Sequence, residues 1–310
     1  MVKITNYNLD KVFPRKTSLV FSIVLLFLLG ICWFCVFSST KIIEPDRKLE
    51  QENSLQTNGY QVLSNIFQEN EIVDWIQKSQ QKEFQALQTS IQTHPKLLQR
   101  LRECLPSRDH FQVEKYQFQD YLWIIQKSVV HICHRDNNGD FFNEGQEHPS
   151  YTVLLYLEEM EPALGIFPGS HRDRYTNAVN LSTPLTLVSC KKGDVIIFNA
   201  NIVHTGMIND RKEDHLRIQM KFTHCDDISK IAYYENFHKI LNTEASLPTW
   251  LRKVHQSTSC TFPIISDWTQ GENIRTARGT DNGVDIGWGQ RAFSSFFYGN
   301  ADFYDLPNVF

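Results

Sequence analysis

Two stretches, YTVLLYLEE at residues 151–159 and GDVIIFNANIVHTG at residues 193–206, decide the fold. Each is a short apolar run rich in β-branched and aromatic residues and bounded by turn-forming residues, which predicts a buried strand. Working outward, the same period-two character recurs in FQVEKYQF (111–118), YLWIIQKSVVHICH (121–134), LTLVSC (185–190) and HLRIQMKFTH (215–224). Gly, Pro, Asn and Asp separate these runs. Upstream, Asn58-Gly59 marks a turn before the strand candidate YQVL (60–63). QENEIVDWIQKS (68–79) predicts a helix with Asn70 as its cap and Ile72, Val73 and Ile76 on its apolar face. Helical character continues over 82–104 with a break at His94-Pro95, and Leu97, Leu98, Leu101 and Leu105 form the stripe of the second piece. A helical front followed by many short strands predicts an α+β protein whose β part is a sandwich or jelly roll. After Cys225 the alternation fades; ISKIAYYENFHKIL (228–241) and LPTWLRKVHQ (247–256) read as partly helical.

The flanks set the domain organisation. Residues 17–40 carry no charge, and SLVFSIVLLFLLGICWFCVF (18–37) is long enough to cross a bilayer as a helix. Arg15 and Lys16 lie at its N-terminal edge, while Glu44 and Asp46 follow it, so the positive-inside rule places the N-terminus in the cytosol. The organisation expected is a cytosolic tail (1–16), a transmembrane signal anchor (17–40), a polar stalk (41–57), a catalytic-size domain (58–225) and a C-terminal extension packed on it (226–310). That is a type II single-pass arrangement with the bulk of the chain lumenal or extracellular. A formal net charge of −4 over 310 residues excludes the strongly basic footprint of a nucleic-acid binder. Of seven cysteines, Cys32 and Cys35 lie within the uncharged span and the other five are scattered with no CxxC pair, which makes no disulfide framework, although a lumenal domain accommodates one or two bridges. The sequon Asn180-Leu-Ser182 is compatible with that compartment.

Chemistry concentrates at His134-Arg135-Asp136, His204 and Arg217. Two histidines and one carboxylate are a ligand set for non-haem Fe(II), which must keep positions open for reactants. His134 and Asp136 are two residues apart and share a side if extended. They fall where a strand opens into the loop DNNGD, and His204 follows the apolar run VIIF. Arg217 lies in an apolar strand and therefore requires an anionic partner, either a protein carboxylate or that of a ligand. His131 is an alternative ligand but has no carboxylate two residues on.

The order of these pieces resembles the phytanoyl-CoA dioxygenase-like branch of the Fe(II)/2-oxoglutarate-dependent oxygenases. The resemblance runs from about Asn58 to Phe222, through NGYQVLSNIFQENEI, His134-Arg-Asp136, the PGSHR turn at 168–172, GDVIIFNANIVHTG and HLRIQMKF. It implies a double-stranded β-helix (jelly roll) with flanking helices, here preceded by one transmembrane helix. It implies iron ligands His134, Asp136 and His204, with Arg217 anchoring 2-oxoglutarate by a bidentate contact. The cofactors implied are Fe(2+), 2-oxoglutarate and O2, with ascorbate as an auxiliary reductant. The activity implied is hydroxylation of a C–H bond with release of succinate and CO2; the carboxylate at Asp136 argues against halogenation, because family halogenases vacate that position. Substrates expected of a tethered member are a small molecule, a lipid or a lumenal protein. Two departures stand out: Ala163-Leu-Gly165 replaces the usual Asn-Gly before the PGSHR turn, and the hairpin before Arg217 carries the charged insert DRKED. Arg172 reads as a solvated turn residue, while His171 is open between turn and active-site mouth. Thr205 and Gln126 are candidates for cosubstrate contact and barrel interior. The aromatic residues Trp268, Trp288, Phe296, Phe297 and Tyr298 read as core or contact surface. The competing class is a tethered jelly-roll binding module without catalysis, which has no reason to keep triad and arginine together. A metal-dependent cupin-type enzyme without 2-oxoglutarate shares the metal but has no need of Arg217.

Overall fold

In the computed structural model, residues 54–106, 112–127, 133–136, 147–172, 185–208, 215–234, 237–242 and 247–261 are described, with isolated positions Leu26, Gly30, Ala292 and Ser295. Four helices lead: α1 (Ser54–Thr57), α2 (Glu69–Gln81), α3 (Phe84–Gln92) and α4 (Pro95–Cys104). The strands are β1 (Tyr60–Leu63), β2 (Tyr116–Phe118), β3 (Tyr121–Lys127), β4 (Tyr151–Tyr156), β5 (Met160–Ile166), β6 (Thr186–Cys190), β7 (Val195–Asn199), β8 (His204–Gly206), β9 (Arg217–His224) and β10 (Phe237–Asn242), and α5 (Thr249–Thr261) follows. The anchor at 17–40, the sequon at Asn180, His131 and the aromatic tail lie outside the described residues, Leu26 and Gly30 apart. Among the described residues, no helix is long and apolar enough to cross a membrane.

A mixed seven-stranded sheet, β1-β7-β4-β9-β3-β10 with β2 also on β9, faces a three-stranded antiparallel sheet, β6-β5-β8. Together with the flanking helices this agrees with the α+β jelly-roll expectation. Alternation along the central strands explains why YTVLLY and VIIFN are apolar on both faces, with Thr152 and Asn199 the polar exceptions. Val153, Leu155, Val195 and Ile197 turn to a core shared with Ile72, Trp75, Leu87, Ile91, Leu97 and Leu101 of the helices. Leu154, Tyr156, Ile196 and Phe198 turn the other way, onto Leu164, Ile166 and Val188 of the small sheet. Both faces of these strands are covered, so no polar face survives.

The helices follow their local signals with one difference. The helix predicted from Asn70 starts at Glu69, with Gln68 as its cap: Gln68 N–H donates to the Glu71 carboxylate at 2.7 Å. A carboxylate three residues into the helix satisfies a free N–H there. His94 caps α4, its Nδ1 accepting from Leu97 N at 3.2 Å, and Pro95 takes the first turn, where no N–H is needed. Ser54–Thr57, expected at the end of the stalk, forms α1 and buries Leu55 in the helix-side core, so the packed part extends at least four residues before Asn58.

The largest correction concerns residues 228–241. The predicted helix is a 3-10 segment over Cys225–Tyr234 followed by strand β10, which pairs parallel to β3 from Phe237↔Tyr121 onward. An edge position beside a buried sheet overrides the mixed propensity of FHKIL. Residues 237–242, beyond Cys225, are thus part of the main sheet.

Candidate metal centre

His134 belongs to no strand. It meets His204, the first residue of β8, in an isolated antiparallel bridge; each backbone N–H donates to the other's carbonyl, at 2.9 and 3.0 Å. Directly opposed residues of such a pair project to the same side, and the two imidazole centroids lie 4.4 Å apart. Asp136, two residues on, returns to that side. Its Oδ1 lies 3.4 Å from His134 Nε2 and 3.5 Å from His204 Nε2. Three ligand atoms, one from each residue, fall within 4.8 Å of one another. His204 Nδ1 faces the Ile202 carbonyl at 3.0 Å, so Nδ1 carries the proton and the Nε2 lone pair faces the centre.

Arg135, between His134 and Asp136, is buried. Its Nη1 donates to the Ser170 carbonyl at 3.0 Å and to the Asn201 carbonyl. One guanidinium thereby ties the PGSHR turn to the loop that delivers His204.

The far oxygen of Asp136 is also occupied. Oδ2 accepts from Lys221 Nζ at 2.7 Å and from Thr152 Oγ1, and Lys221 Nζ donates to Thr152 Oγ1 at 2.8 Å. Gln219 Nε2 lies 3.5 Å from the same Oδ2. Oδ1 is thus left for the side where the imidazoles converge. Burial alone raises the Asp136 carboxyl, but Lys221 and the two histidines hold it well below the usual carboxylate range. Burial, then His134, push His204 down to about 4 against the opposing pull of Asp136. His204 therefore stands as a neutral imidazole and Asp136 as an ionised carboxylate, the protonation states a metal requires of such ligands. The donor set fits an Fe(II) site.

Arg217 opens β9, paired with Tyr156 of β4 and Ile125 of β3. Alternation puts it on the same face as Gln219 and Lys221. Its Nη1 lies 3.4 Å from the His215 carbonyl, and burial draws the guanidinium below its ordinary value. Beside it, the buried hydroxyl of Tyr156 has no hydrogen-bond partner among the described residues, and burial raises its pKa. An orphaned hydroxyl next to a half-buried guanidinium is a place that an anionic group would satisfy.

The remaining candidates separate. His171 Nε2 bonds the Gln56 carbonyl at 3.2 Å and the ring packs on Gly59, where an added Cβ would come within 2.4 Å of Nδ1. Arg172 reaches the Thr57 carbonyl at 2.6 Å. Both fasten α1 to the turn. Thr205 accepts from Gln256 of α5 at 3.0 Å. Gln126 lies in β3 at a break in its register with β10, and its backbone carbonyl accepts from His215 N–H at 3.3 Å. The residues that sequence reasoning passed over are Lys221, Thr152 and Gln219. Their signal was present: Lys221 lies four residues from Arg217 in one strand, hence on the same face, and a lysine in an apolar strand needs a partner.

A second grouping, His224, Cys225 and Asp226, also brings ligand atoms within 4.8 Å. Asp226 there is exposed and pairs with Lys115 at 3.3 Å. Buried Asp227 alongside accepts from the N–H groups of Glu147 and His148, at 3.1 and 2.7 Å, and locks the approach to β4.

No protein-family profile matches the chain, and no curated protein matches its sequence. Several solved structures are similar in part. The non-heme alpha ketoglutarate dependent epimerase SnoN from nogalamycin biosynthesis is 14% identical, with 55% of this chain and 79% of that one covered and a TM-score of 0.44. HygX from Streptomyces hygroscopicus, solved with nickel and 2-oxoglutarate bound, is 16% identical, covering 54% and 83%, with a TM-score of 0.42. EvdO2 from Micromonospora carbonacea var. aurantiaca is 13% identical, covering 59% and 92%, with a TM-score of 0.44.

Proposed function

We propose that this chain is a non-haem Fe(II)/2-oxoglutarate-dependent oxygenase, acting as a hydroxylase and tethered to a membrane by residues 17–40. The observation that carries the reading is the convergence of His134 Nε2, His204 Nε2 and Asp136 Oδ1 from two segments 70 residues apart in sequence, counted from His134 to His204. When bound there, iron and 2-oxoglutarate supply the oxidising chemistry; the protein supplies geometry and electrostatics. His134, His204 and Asp136 would hold the metal through Nε2, Nε2 and Oδ1. Lys221 and Thr152 keep Asp136 Oδ2 engaged, which limits the carboxylate to one metal-facing oxygen. Two cations, Arg217 and Lys221, share this face with one ionised carboxylate, Asp136. A divalent metal adds to that excess, and a dicarboxylate relieves it. Arg217 and the Tyr156 hydroxyl are the groups we assign to its distal end. The apolar wall of Leu154, Ile196 and Phe198 between the sheets excludes water from the neighbourhood of the metal.

Orientation follows from the basic residues before the anchor, with the catalytic domain lumenal or extracellular. The Cys133–Cys260 disulfide suits such an oxidising compartment. Substrates in keeping with a tether are a lipid, a lumenal protein or a small molecule. Glycosylation of Asn180 in cells, read as an endoglycosidase-sensitive shift in gel mobility, tests the orientation.

One observation favours the alternative, a binding module without catalysis: Lys221 already gives Asp136 a cationic partner, so the carboxylate is stable without metal. The deciding experiment uses the full-length chain in detergent, stripped of metal. Fe(II) and 2-oxoglutarate are added without oxygen, the visible charge-transfer band of the chelate is sought, and O2 is then admitted and succinate measured, with His204→Ala in parallel. A band and His204-dependent succinate are expected. A folded chain that binds no iron would leave the binding module as the better account.

A further inference from the structure

The segment after β9 does more than complete the sheet. Helix α5 carries Gln256, Ser259 and Cys260, spaced three and four residues apart and so on one helix face. All three are buried. Each of the two histidine-bearing segments is held by this face, one residue away from its ligand. On the His134 side, Cys133 forms a disulfide with Cys260, and Cys133 N–H donates to Ser259 Oγ at 2.8 Å. On the His204 side, Gln256 Nε2 donates to Thr205 Oγ1 and to the Gly206 carbonyl, both at 3.0 Å. Ser259 Oγ in turn donates to the Gln256 carbonyl at 2.8 Å, closing a chain of contacts between the two sides. Cys133 and Cys260 pack with Phe167, Leu185 and Val203 in a small cluster of their own.

The position of His134 depends on these ties because its own secondary structure is minimal: one isolated bridge to His204. A metal centre needs its ligands held to a fraction of an ångström, and the groups that orient ligands govern affinity.

We infer that α5 is a brace for the metal centre, and that the Cys133–Cys260 disulfide makes the affinity of the His134/Asp136/His204 triad for a divalent metal depend on thiol redox state. The inference rests on the metal reading proposed above. A small dithiol opens the bond with balanced chemistry: the S–S bond accepts two electrons and two protons, giving Cys133 and Cys260 thiols, and the reductant becomes its own disulfide. Freed of the bond, the His134 segment retains its bridge to His204 but loses its covalent tie to α5. Cys260, Ser259 and Gln256 are positioning residues, since they act through the backbone beside the ligands.

The test titrates the full-length, metal-stripped chain in detergent with Co(II), following its visible d–d absorption, before and after reduction by a dithiol that is then removed under anaerobic conditions. Far-UV circular dichroism checks that the chain stays folded. Alkylation and peptide mapping establish first that Cys133 and Cys260 are linked; finding both as free thiols in the oxidised protein overturns the inference. Reduction should weaken Co(II) binding about 10–100-fold, the range for losing a group that orients a ligand, and re-oxidation should restore it. Gln256→Met keeps the disulfide, removes only the Thr205 and Gly206 contacts, and should weaken binding in the same direction. This variant carries the test if reduction unfolds the chain. Equal Co(II) affinity in the oxidised, reduced and Gln256→Met forms, all folded, overturns the brace while leaving the metal reading intact. Absence of Co(II) binding by the oxidised wild type overturns both.

Discussion

Replacing Asp136 by alanine should destabilise the metal-free protein severely, quite apart from any loss of activity. Lys221 Nζ lies 2.7 Å from Asp136 Oδ2, and the two side chains are only 2% and 9% exposed. At that distance and an effective dielectric of about 20, the attraction is about 6 kcal/mol. Part of it offsets the cost of removing both charges from water. Truncating one partner keeps the desolvation of the other and loses the attraction, a change that costs about 3–5 kcal/mol for buried pairs. Thr152 Oγ1 remains beside Lys221, but a hydroxyl does not neutralise an ammonium. Urea unfolding of the metal-free chain, followed by circular dichroism, should show that loss in Asp136→Ala. Removing the stranded charge as well, in Asp136→Ala/Lys221→Met, should recover at least about 2 kcal/mol of it, a coupling of the size seen for residues in direct contact. A loss below about 1 kcal/mol in the single variant, or a double variant no more stable than the sum of its parts, would refute the reasoning. The consequence for enzymology is direct: an inactive Asp136→Ala protein reports on folding as well as on iron, and His204→Ala is the cleaner control.

Arg217→Ala should weaken 2-oxoglutarate binding about 10–100-fold, as the loss of a charged contact worth about 1.5–3 kcal/mol requires. Titration of the chelate band measures it, and unchanged affinity would remove Arg217 from that role. Acid should destabilise the metal-free fold in a defined window. His204 is held at about 4 against an ordinary 6.5, so between those values the unfolded chain takes up a proton that the native state refuses. Stability should therefore fall as pH drops from 6.5 towards 4. Asp136, whose carboxyl is depressed, adds its own loss only below the ordinary carboxylate value of 3.8. Replacing His204 by Gln should flatten the first part of that profile. In the helix-side core, Trp75 is 1% exposed and its Nε1 donates to Ser90 Oγ at 2.8 Å. Trp75→Ala should cost about 3–5 kcal/mol in urea unfolding, and a loss under about 1 kcal/mol would mean that α2 is not part of the cooperative unit.

Sequence alone determined those features whose causes lie within a few residues. Strands β4, β7 and β9 were legible because burial on one or both faces imposes its period on neighbouring side chains. The break at His94-Pro95 was legible because proline and its cap act locally. His134, Asp136 and His204 could be named as a set because each stands where an apolar run ends, and only a few residue types bind iron. Tertiary structure decided what depends on contacts distant in the chain. FHKIL became strand β10 because β3 offered it a parallel partner, and local propensity carried no trace of that. Lys221 was readable as buried, but its pairing with Asp136, 85 residues away, required β9 and the His134 segment to be brought together. Cys133 and Cys260 were two of seven cysteines until a separation of 127 residues was closed by α5 packing behind both histidines. The chemistry was therefore written in residue identity, while its arrangement followed from non-local packing, whose energy belongs to pairs of segments and leaves no periodic mark on either one.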